Sequence, residues 1–130
     1  MGPGDRPGDI GLPDLTVESR QVGDVTVICP QGFINAHTVR QFEQALSQAL
    51  EDGHYHLLIN GSGLAYIASA GLGVIMGLIE ETRAKGGDIR LAELNDTVRN
   101  IFEVLGFNHL CKVLSSEKEG LESYQADTAS

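Results

Sequence analysis

The first candidate for chemistry in this chain is Ser69. It lies between two alanines, and a glycine follows two positions later. The segment Ile67-Ala-Ser-Ala-Gly71 is close to the Gly-x-Ser-x-Gly turn that presents a catalytic serine in hydrolases. The first glycine of that motif is replaced by Ile67, and no acid–base partner for Ser69 is visible nearby. We therefore expect no catalytic residue and no enzymatic activity.

Histidines are the next candidates, because imidazole is a common metal ligand. The four histidines are His37, His54, His56 and His109. His54 and His56 would share one face if both lay on a strand, but no third ligand is apparent. We expect surface or edge-strand histidines, and neither a metal site nor a cofactor.

Three glycines follow Ser69 at short intervals: Gly71, Gly73 and Gly77. Their spacing resembles a dinucleotide-binding turn, but the third glycine comes one position too late. No Gly-Lys-Ser/Thr follows, so the segment is not a phosphate-binding P-loop either. Close packing is the favoured interpretation, with Gly73 and Gly77, four residues apart, letting a helix approach the sheet.

Two interpretations of Ser69 remain open at this point. A serine after a loop and before a helix is a natural N-cap, accepting a hydrogen bond from the amide of Gly71 or Leu72. The start of a helix also favours a phosphate, through its free amides and dipole. Phosphorylation of Ser69 would add about −1.5 to −2 charges at neutral pH and disturb any interface there.

Composition narrows the classes of partner. The chain has 130 residues, which suits one domain, and a formal net charge of −9. Nucleic acid and anionic membranes select basic surfaces, so we expect neither as partner.

No apolar run approaches the roughly 20 residues of a membrane span, and the first residues lack the apolar stretch of a signal peptide. Two cysteines, Cys29 and Cys111, suit buried free thiols and a cytoplasmic protein.

Alternating strand and helix patterns predict a single α/β domain over residues 15–124, between disordered tails at 1–14 and 125–130. The order predicts a mixed sheet of four to five strands packed against three to four helices. Asn95 is predicted to cap the third helix. The predicted strands are Leu15–Arg20, Val25–Pro30, His56–Asn60, Asp88–Leu94 and Leu110–Leu114; the predicted helices are Thr38–Glu51, Ser69–Lys85, a third from Asn95 to Gly106, and a short Glu117–Tyr124; residues 61–68 are predicted to form a loop.

The segment Leu57-Leu-Ile-Asn-Gly-Ser-Gly-Leu-Ala-Tyr-Ile-Ala-Ser69-Ala-Gly-Leu-Gly-Val-Ile resembles the central motif of the STAS domain family, to which the bacterial anti-sigma factor antagonists belong. Val27-Ile-Cys-Pro-Gln-Gly-Phe-Ile-Asn35 is similar to the second strand of that family and the turn after it. Gly86-Gly-Asp-Ile-Arg-Leu and Asn95-Asp-Thr-Val-Arg-Asn-Ile-Phe are similar to its fourth strand and third helix. The resemblance covers about residues 15–121.

The resemblance implies a mechanism and a site. The unphosphorylated domain would bind an anti-sigma factor, typically a serine protein kinase with a histidine-kinase-like ATPase fold, and so free a sigma factor. The kinase would switch the antagonist off by phosphorylating Ser69, and a serine phosphatase would reset it. The protein itself would be a monomer or weak dimer. The implied partner-binding residues are Asn35, His37, Thr38, Leu64, Tyr66, Ala68, Ala70, Gly71 and Leu72.

Three positions depart from the family's common pattern, each by loss of an acid. Ala68, Asn35 and Asn60 stand where the family often has carboxylates, at places where a kinase would contact the loop. One alternative is therefore a phosphorylation-independent scaffold or adaptor, in which Ser69 is only a cap. A second alternative is a small-molecule-binding domain that uses the glycine-rich helix start as an anion site.

Overall fold

In the computed structural model, which describes residues 14–129, a six-stranded mixed sheet is covered by helices on both faces. Three helices pack on the face that we call inner, and the last helix packs on the outer face. The strands are β1 (Leu15–Val22), β2 (Val25–Ile34), β3 (His56–Asn60), β4 (Leu64–Ile67), β5 (Asp88–Ala92) and β6 (Val113–Leu114); the helices are α1 (Val39–Glu51), α2 (Ser69–Ala84), α3 (Asp96–Val104) and α4 (Glu117–Ala129), with a short 3₁₀ turn at Phe107–His109.

The predicted fold class is confirmed. The strands lie in the order β1-β2-β3-β5-β6, and β4 pairs with the far end of β2. Only β1 and β2 are antiparallel, joined by a tight turn in which Gly23 has a φ of 59°, a conformation that glycine adopts without strain. The other pairs are parallel, as helical crossovers require. Four helices match the expectation, and the sheet has one strand more than expected.

The extra strand, β4, corrects the prediction of a loop over residues 61–68. Four residues are too few to show a strand pattern, and glycines at 61 and 63 favour a turn. What stabilises β4 is β2, which continues four residues past its predicted end at Pro30. A register shift between Gly32 and Phe33 lets β2 pair with β4 beyond the end of β3.

Smaller differences concern where elements end. The fourth predicted strand stops at Ala92 because Glu93 takes a left-handed φ of 63°. The predicted strand from Leu110 is reduced to β6, since the 3₁₀ turn precedes it. The predicted N-terminal tail, residues 1–14, lies outside the described residues except for Asp14. Helix α4 passes the predicted end at Tyr124 and reaches Ala129, so residues 125–129 are helical rather than a disordered tail.

A buried arginine explains why α4 continues. Arg90 on β5 is 4% exposed, and its guanidinium lies 4.1 Å from the ring of Tyr124. It donates to Asp88 (3.0 Å) and to Ser123 (2.8 Å), and it forms an ion pair with Asp127 in the last turns of α4. A buried cation is stable only when it is paired, so these contacts hold the end of α4 on the sheet.

Tyr124 anchors α4 to two strands at once. Its one hydroxyl hydrogen lies within reach of two acceptors, the carbonyl of Leu57 on β3 (2.6 Å) and that of Asp88 on β5 (2.7 Å). The ring of His56 stacks on Tyr124 at 5.1 Å between centroids. Burial of the side chain raises the pKa of Tyr124, so the hydroxyl stays a donor throughout the ordinary pH range.

Replacing Tyr124 with phenylalanine should therefore destabilise the outer layer. We expect Tyr124→Phe to lower the free energy of unfolding by about 1–2 kcal/mol, since one buried hydroxyl with two acceptors is lost. Urea denaturation measures this change. Tyr55→Phe is the matched control, because the Tyr55 hydroxyl has no hydrogen bond within residues 14–129. Equal losses in both variants would contradict the anchoring role.

Candidate functional site

Ser69 is the first residue of α2, and its side chain is exposed. The residue before it, Ala68, is still extended (φ −85°, ψ 167°) and donates its amide to the carbonyl of Ile34 at 2.8 Å. The backbone carbonyl of Ala68 then accepts from the amides of Gly71 (2.9 Å) and Leu72 (3.4 Å). Ala68 is thus the N-cap, and the prediction that Ser69 caps the helix is wrong. Within residues 14–129, the Ser69 hydroxyl makes no hydrogen bond.

The turn after β2 is the second part of the site, and its own side chains hold it rigid. The Asn35 side-chain oxygen accepts from the amides of His37 (2.8 Å) and Thr38 (3.2 Å). Thr38 donates its hydroxyl to the carbonyl of Phe33 (2.7 Å) and accepts from the amide of Asn35 (2.9 Å). The backbone carbonyl of Asn35 receives the amide of Val39, the first residue of α1. The turn therefore presents His37 to solvent on a fixed backbone.

Pairing between β2 and β4 brings the two parts together. Phe33 lies opposite Tyr66, and Ile34 lies opposite Ile67, directly before the turn and the start of α2. Phe33 is 50% exposed and Tyr66 is 42% exposed, whereas Ile34 and Ile67 are fully buried on the inner face. Two large aromatic side chains are thus exposed side by side next to the Ser69 segment.

Phe33 is the site residue that sequence reasoning missed. The predicted strand ends at Pro30, so it assigns no face to residues 31–34. Alternation continued through the inward positions Ile28 and Ile34 places Phe33 on the opposite, outer face.

Burial divides the predicted partner-binding residues into two groups. His37, Tyr66 and Ala70 are exposed with Ser69, and Asn35 and Ala68 are partly exposed. The other four are buried in the protein interior; they are Thr38, Leu64, Gly71 and Leu72. Their packing in the interior supports the exposed residues of the site.

Gly71 shows this supporting role most directly. A Cβ atom at Gly71 would lie 2.7 Å from Ile34 and 2.8 Å from Ile67, which is closer than van der Waals contact allows. Nothing lies within 4 Å of a Cβ at Gly73 or Gly77, and both are exposed. The predicted close packing at Gly73 and Gly77 is therefore wrong; Gly71 is the glycine that lets α2 approach the sheet.

The two segments that form the site, residues 25–42 and 53–79, contain none of the 18 aspartates and glutamates of the chain. The only charged side chain in these segments is that of Arg40, which is exposed on the first turn of α1. On an acidic protein, a single added negative charge changes the local electrostatic potential most at a neutral, partly aromatic surface such as this one.

Asn60 lies on the outer face of the sheet and contacts the start of α4. Its amide nitrogen donates to Glu117 at 2.8 Å, and its oxygen accepts from the amide of Ser62 at 2.9 Å. Glu117 also pairs with Arg20. Burial opposes ionisation of Glu117, but the hydrogen bonds from Arg20 and Asn60 outweigh it and hold its pKa below the usual range. This contribution to stability is present at neutral pH and is lost as the pH falls through the lowered pKa.

Comparison with known proteins assigns the family and the fold. Residues 16–120 match the STAS domain family. The chain belongs to the STAS domain family. The Bordetella bronchiseptica protein BtrV, named as a candidate anti-sigma factor antagonist, is 28% identical over 105 residues, which cover 81% of this chain and 90% of BtrV. The anti-sigma-B factor antagonist of Staphylococcus aureus is 24% identical over 82 residues, covering 63% of this chain and 76% of that protein.

Solved structures agree on the STAS fold. The crystal structure of an anti-sigma factor antagonist from Mycobacterium paratuberculosis aligns with a TM-score of 0.79 at 20% identity, over 86% of this chain and 96% of that one. SpoIIAA in its unphosphorylated form aligns with a TM-score of 0.72 at 24% identity, over 85% and 97%. Between Asp14 and Ala129, no group of three or more metal-ligating side chains occurs, and no helix is long and apolar enough to cross a membrane.

The two glycine environments in this STAS domain give opposite expectations. We expect Gly71→Ala to destabilise the fold by about 1–3 kcal/mol, because the added methyl group overpacks Ile34 and Ile67. Gly73→Ala should stabilise it by about 0.5–1 kcal/mol, because alanine favours a helix and the space is open. Thermal unfolding of both variants tests this pair. Changes of the same sign would contradict the packing described for Gly71.

Asn60 and Asn35, which stand where the family often has acids, differ in whether their side chains donate or accept hydrogen bonds. We expect Asn60→Asp to cost about 1–3 kcal/mol at neutral pH, because the donor to Glu117 is lost and two carboxylates meet. The deficit should shrink towards pH 4, where the new carboxyl is protonated and can donate again. Asn35→Asp is the control, since its oxygen only accepts, and it should be tolerated near the start of α1. Urea denaturation at neutral pH and at pH 4 measures the loss of stability of both variants. Equal losses for Asn60→Asp and Asn35→Asp at both pH values would overturn this distinction.

Proposed function

We propose that this STAS domain is an anti-sigma factor antagonist that acts in the cytoplasm by binding, without catalysis of its own. In the unphosphorylated form it binds an anti-sigma factor, a serine protein kinase, and thereby frees a sigma factor for transcription. The names of its relatives support the class. The observation that carries the proposal is the exposed Ser69 at the start of α2, with its hydroxyl unengaged among the described residues.

The binding surface comprises the Ser69 segment, the turn at His37 and the exposed aromatic pair Phe33 and Tyr66. Aromatic side chains are enriched among the residues that dominate protein interfaces. Hydrogen bonds of Thr38 and Asn35 hold the turn in one conformation, and Gly71 lets α2 pack closely on the ends of β2 and β4. The surface is therefore rigid. A rigid surface binds without the entropy cost of ordering its loops.

Phosphorylation of Ser69 would switch binding off through desolvation. At the first helical position a phosphate lies near free backbone amides and the positive end of the helix dipole, so the fold tolerates it. The same phosphate adds about −1.5 to −2 charges to a surface whose two segments contain no carboxylate. Burying that charge against the partner is costly, so the modified form dissociates and a serine phosphatase restores it.

The replaced acids favour one alternative, a phosphorylation-independent adaptor. Ala68 and Asn35 remove carboxylates that a kinase could contact beside Ser69. In that case the same neutral surface would hold a partner permanently, and charge at Ser69 would have no regulatory role.

A pair of Ser69 variants separates these functions. We expect Ser69→Glu to weaken binding to the anti-sigma kinase of the source organism at least about tenfold, equivalent to about 1.4 kcal/mol. Ser69→Ala should bind like the wild type and accept no phosphate when incubated with kinase, Mg²⁺ and ATP. Titration calorimetry and intact mass measure the two effects.

The matched control is Ser115→Glu, which places the same charge on an exposed serine in the segment between β6 and α4. It should leave affinity unchanged. If Ser69→Glu bound as tightly as this control and Ser69 accepted no phosphate, the adaptor function would replace the proposed one.

A further inference from the structure

The strand β1 forms one outer edge of the sheet among the described residues, where it pairs only with β2. The pairing is regular over all eight residues, with no bulge and no proline in β1. Edge strands usually carry such features to prevent pairing with another chain. A regular edge without them is a template for a further strand.

Backbone contacts show which groups of β1 face outward. The amide of Phe33 donates to the carbonyl of Asp14 at 3.0 Å, so the even-numbered residues of this segment bond to β2. The odd-numbered residues face away, and Gln41 accordingly donates to the carbonyl of Leu15 from outside at 3.3 Å. Val17 lies opposite Pro30, which has no amide hydrogen to offer it. Val17, Ser19 and Gln21 thus present their backbone groups outward.

We propose that a second copy of this chain pairs with β1 in an antiparallel, two-fold symmetric arrangement centred on Ser19. In this register Ser19 faces Ser19 of the second copy, and Val17 faces Gln21, so all three outward residues form backbone hydrogen bonds. Glu18 then lies directly opposite Arg20 of the second copy, and the symmetry creates this pair twice. Opposite charges at directly opposed positions stabilise a strand pair.

Charge distinguishes this register from its neighbours. Symmetric pairing centred on residue 18 would place Glu18 against Glu18, and pairing centred on residue 20 would place Arg20 against Arg20. Both arrangements oppose like charges, which destabilises a strand pair. Arg20 can serve the interface and α4 together, because its contact with Glu117 uses one terminal nitrogen and its side chain is 50% exposed. A single strand pair is a small interface, so the dimer is weak.

Sedimentation velocity on the full chain tests the proposal, over concentrations up to about 1 mM, the weak end of specific affinity. We expect the wild type to dimerise reversibly and Ser19→Pro to remain monomeric at the same concentrations. The substitution removes only an outward amide, which edge strands tolerate. Ser19→Ala keeps that amide and should dimerise like the wild type. A wild type that is monomeric throughout, or a dimer unaffected by Ser19→Pro, would overturn the proposal.

A charge variant keeps the test decisive if proline disturbs the fold. Glu18→Arg would oppose Arg20 of the second copy, and we expect it to weaken dimerisation at least about fivefold, within the range of a single cross-strand charge pair. Glu43→Arg changes the net charge equally on the exposed side of α1 and should have no effect. Equal weakening by both variants would mean that net charge, and not this register, governs association.

Hydrogen exchange identifies other occupants of the edge. We expect the amide of Ser19 to become protected as concentration rises. Protection that is independent of concentration and is lost when residues 1–13 are removed would assign the edge to the chain's own N-terminal segment, and would overturn the proposal.

Discussion

The pairing of β4 with the end of β2 is the constraint on which the candidate site depends. The two strands contribute few residues, yet they bring the turn after β2 against the first residue of α2. Ile34 and Ile67 fill the space beneath, and Gly71 allows α2 to approach them closely. Without this pairing, Phe33 and Tyr66 would have no fixed relation to Ser69.

Electrostatics divides the molecule into regions with different roles. Carboxylates are absent from the segments around Ser69 but organise the contacts between α4 and the sheet, where Glu117 and Asp127 pair with Arg20 and Arg90. These ion pairs therefore stabilise the fold at neutral pH. A neutral surface gives a phosphate its largest relative effect, since no neighbouring carboxylate already repels a partner.

Contacts with α4 also explain why the asparagine at residue 60 has a different role from the one at residue 35. Asn60 contacts a carboxylate and must donate, so an aspartate is unfavourable there. Asn35 contacts only donors, so the asparagine and an aspartate would hold the turn in the same way. The absence of an acid at residue 60 therefore has a structural cause within this chain, whereas its absence at residue 35 changes the character of the exposed surface.

Periodicity in the sequence by itself determined the long helices, most of the strands and the α/β class, because each long element repeats its apolar residues over several turns or alternations. Local chemistry likewise determined the cap of α3, where Asn95 accepts from the amide of Val98 as predicted. Only the tertiary structure decided the remainder: β4 depends on a distant strand, Ala68 rather than Ser69 ends the extended segment, and Gly71 rather than Gly73 faces the sheet. The physical reason is that a four-residue strand, a cap and a close contact each depend on what lies opposite them in space, which no local pattern contains.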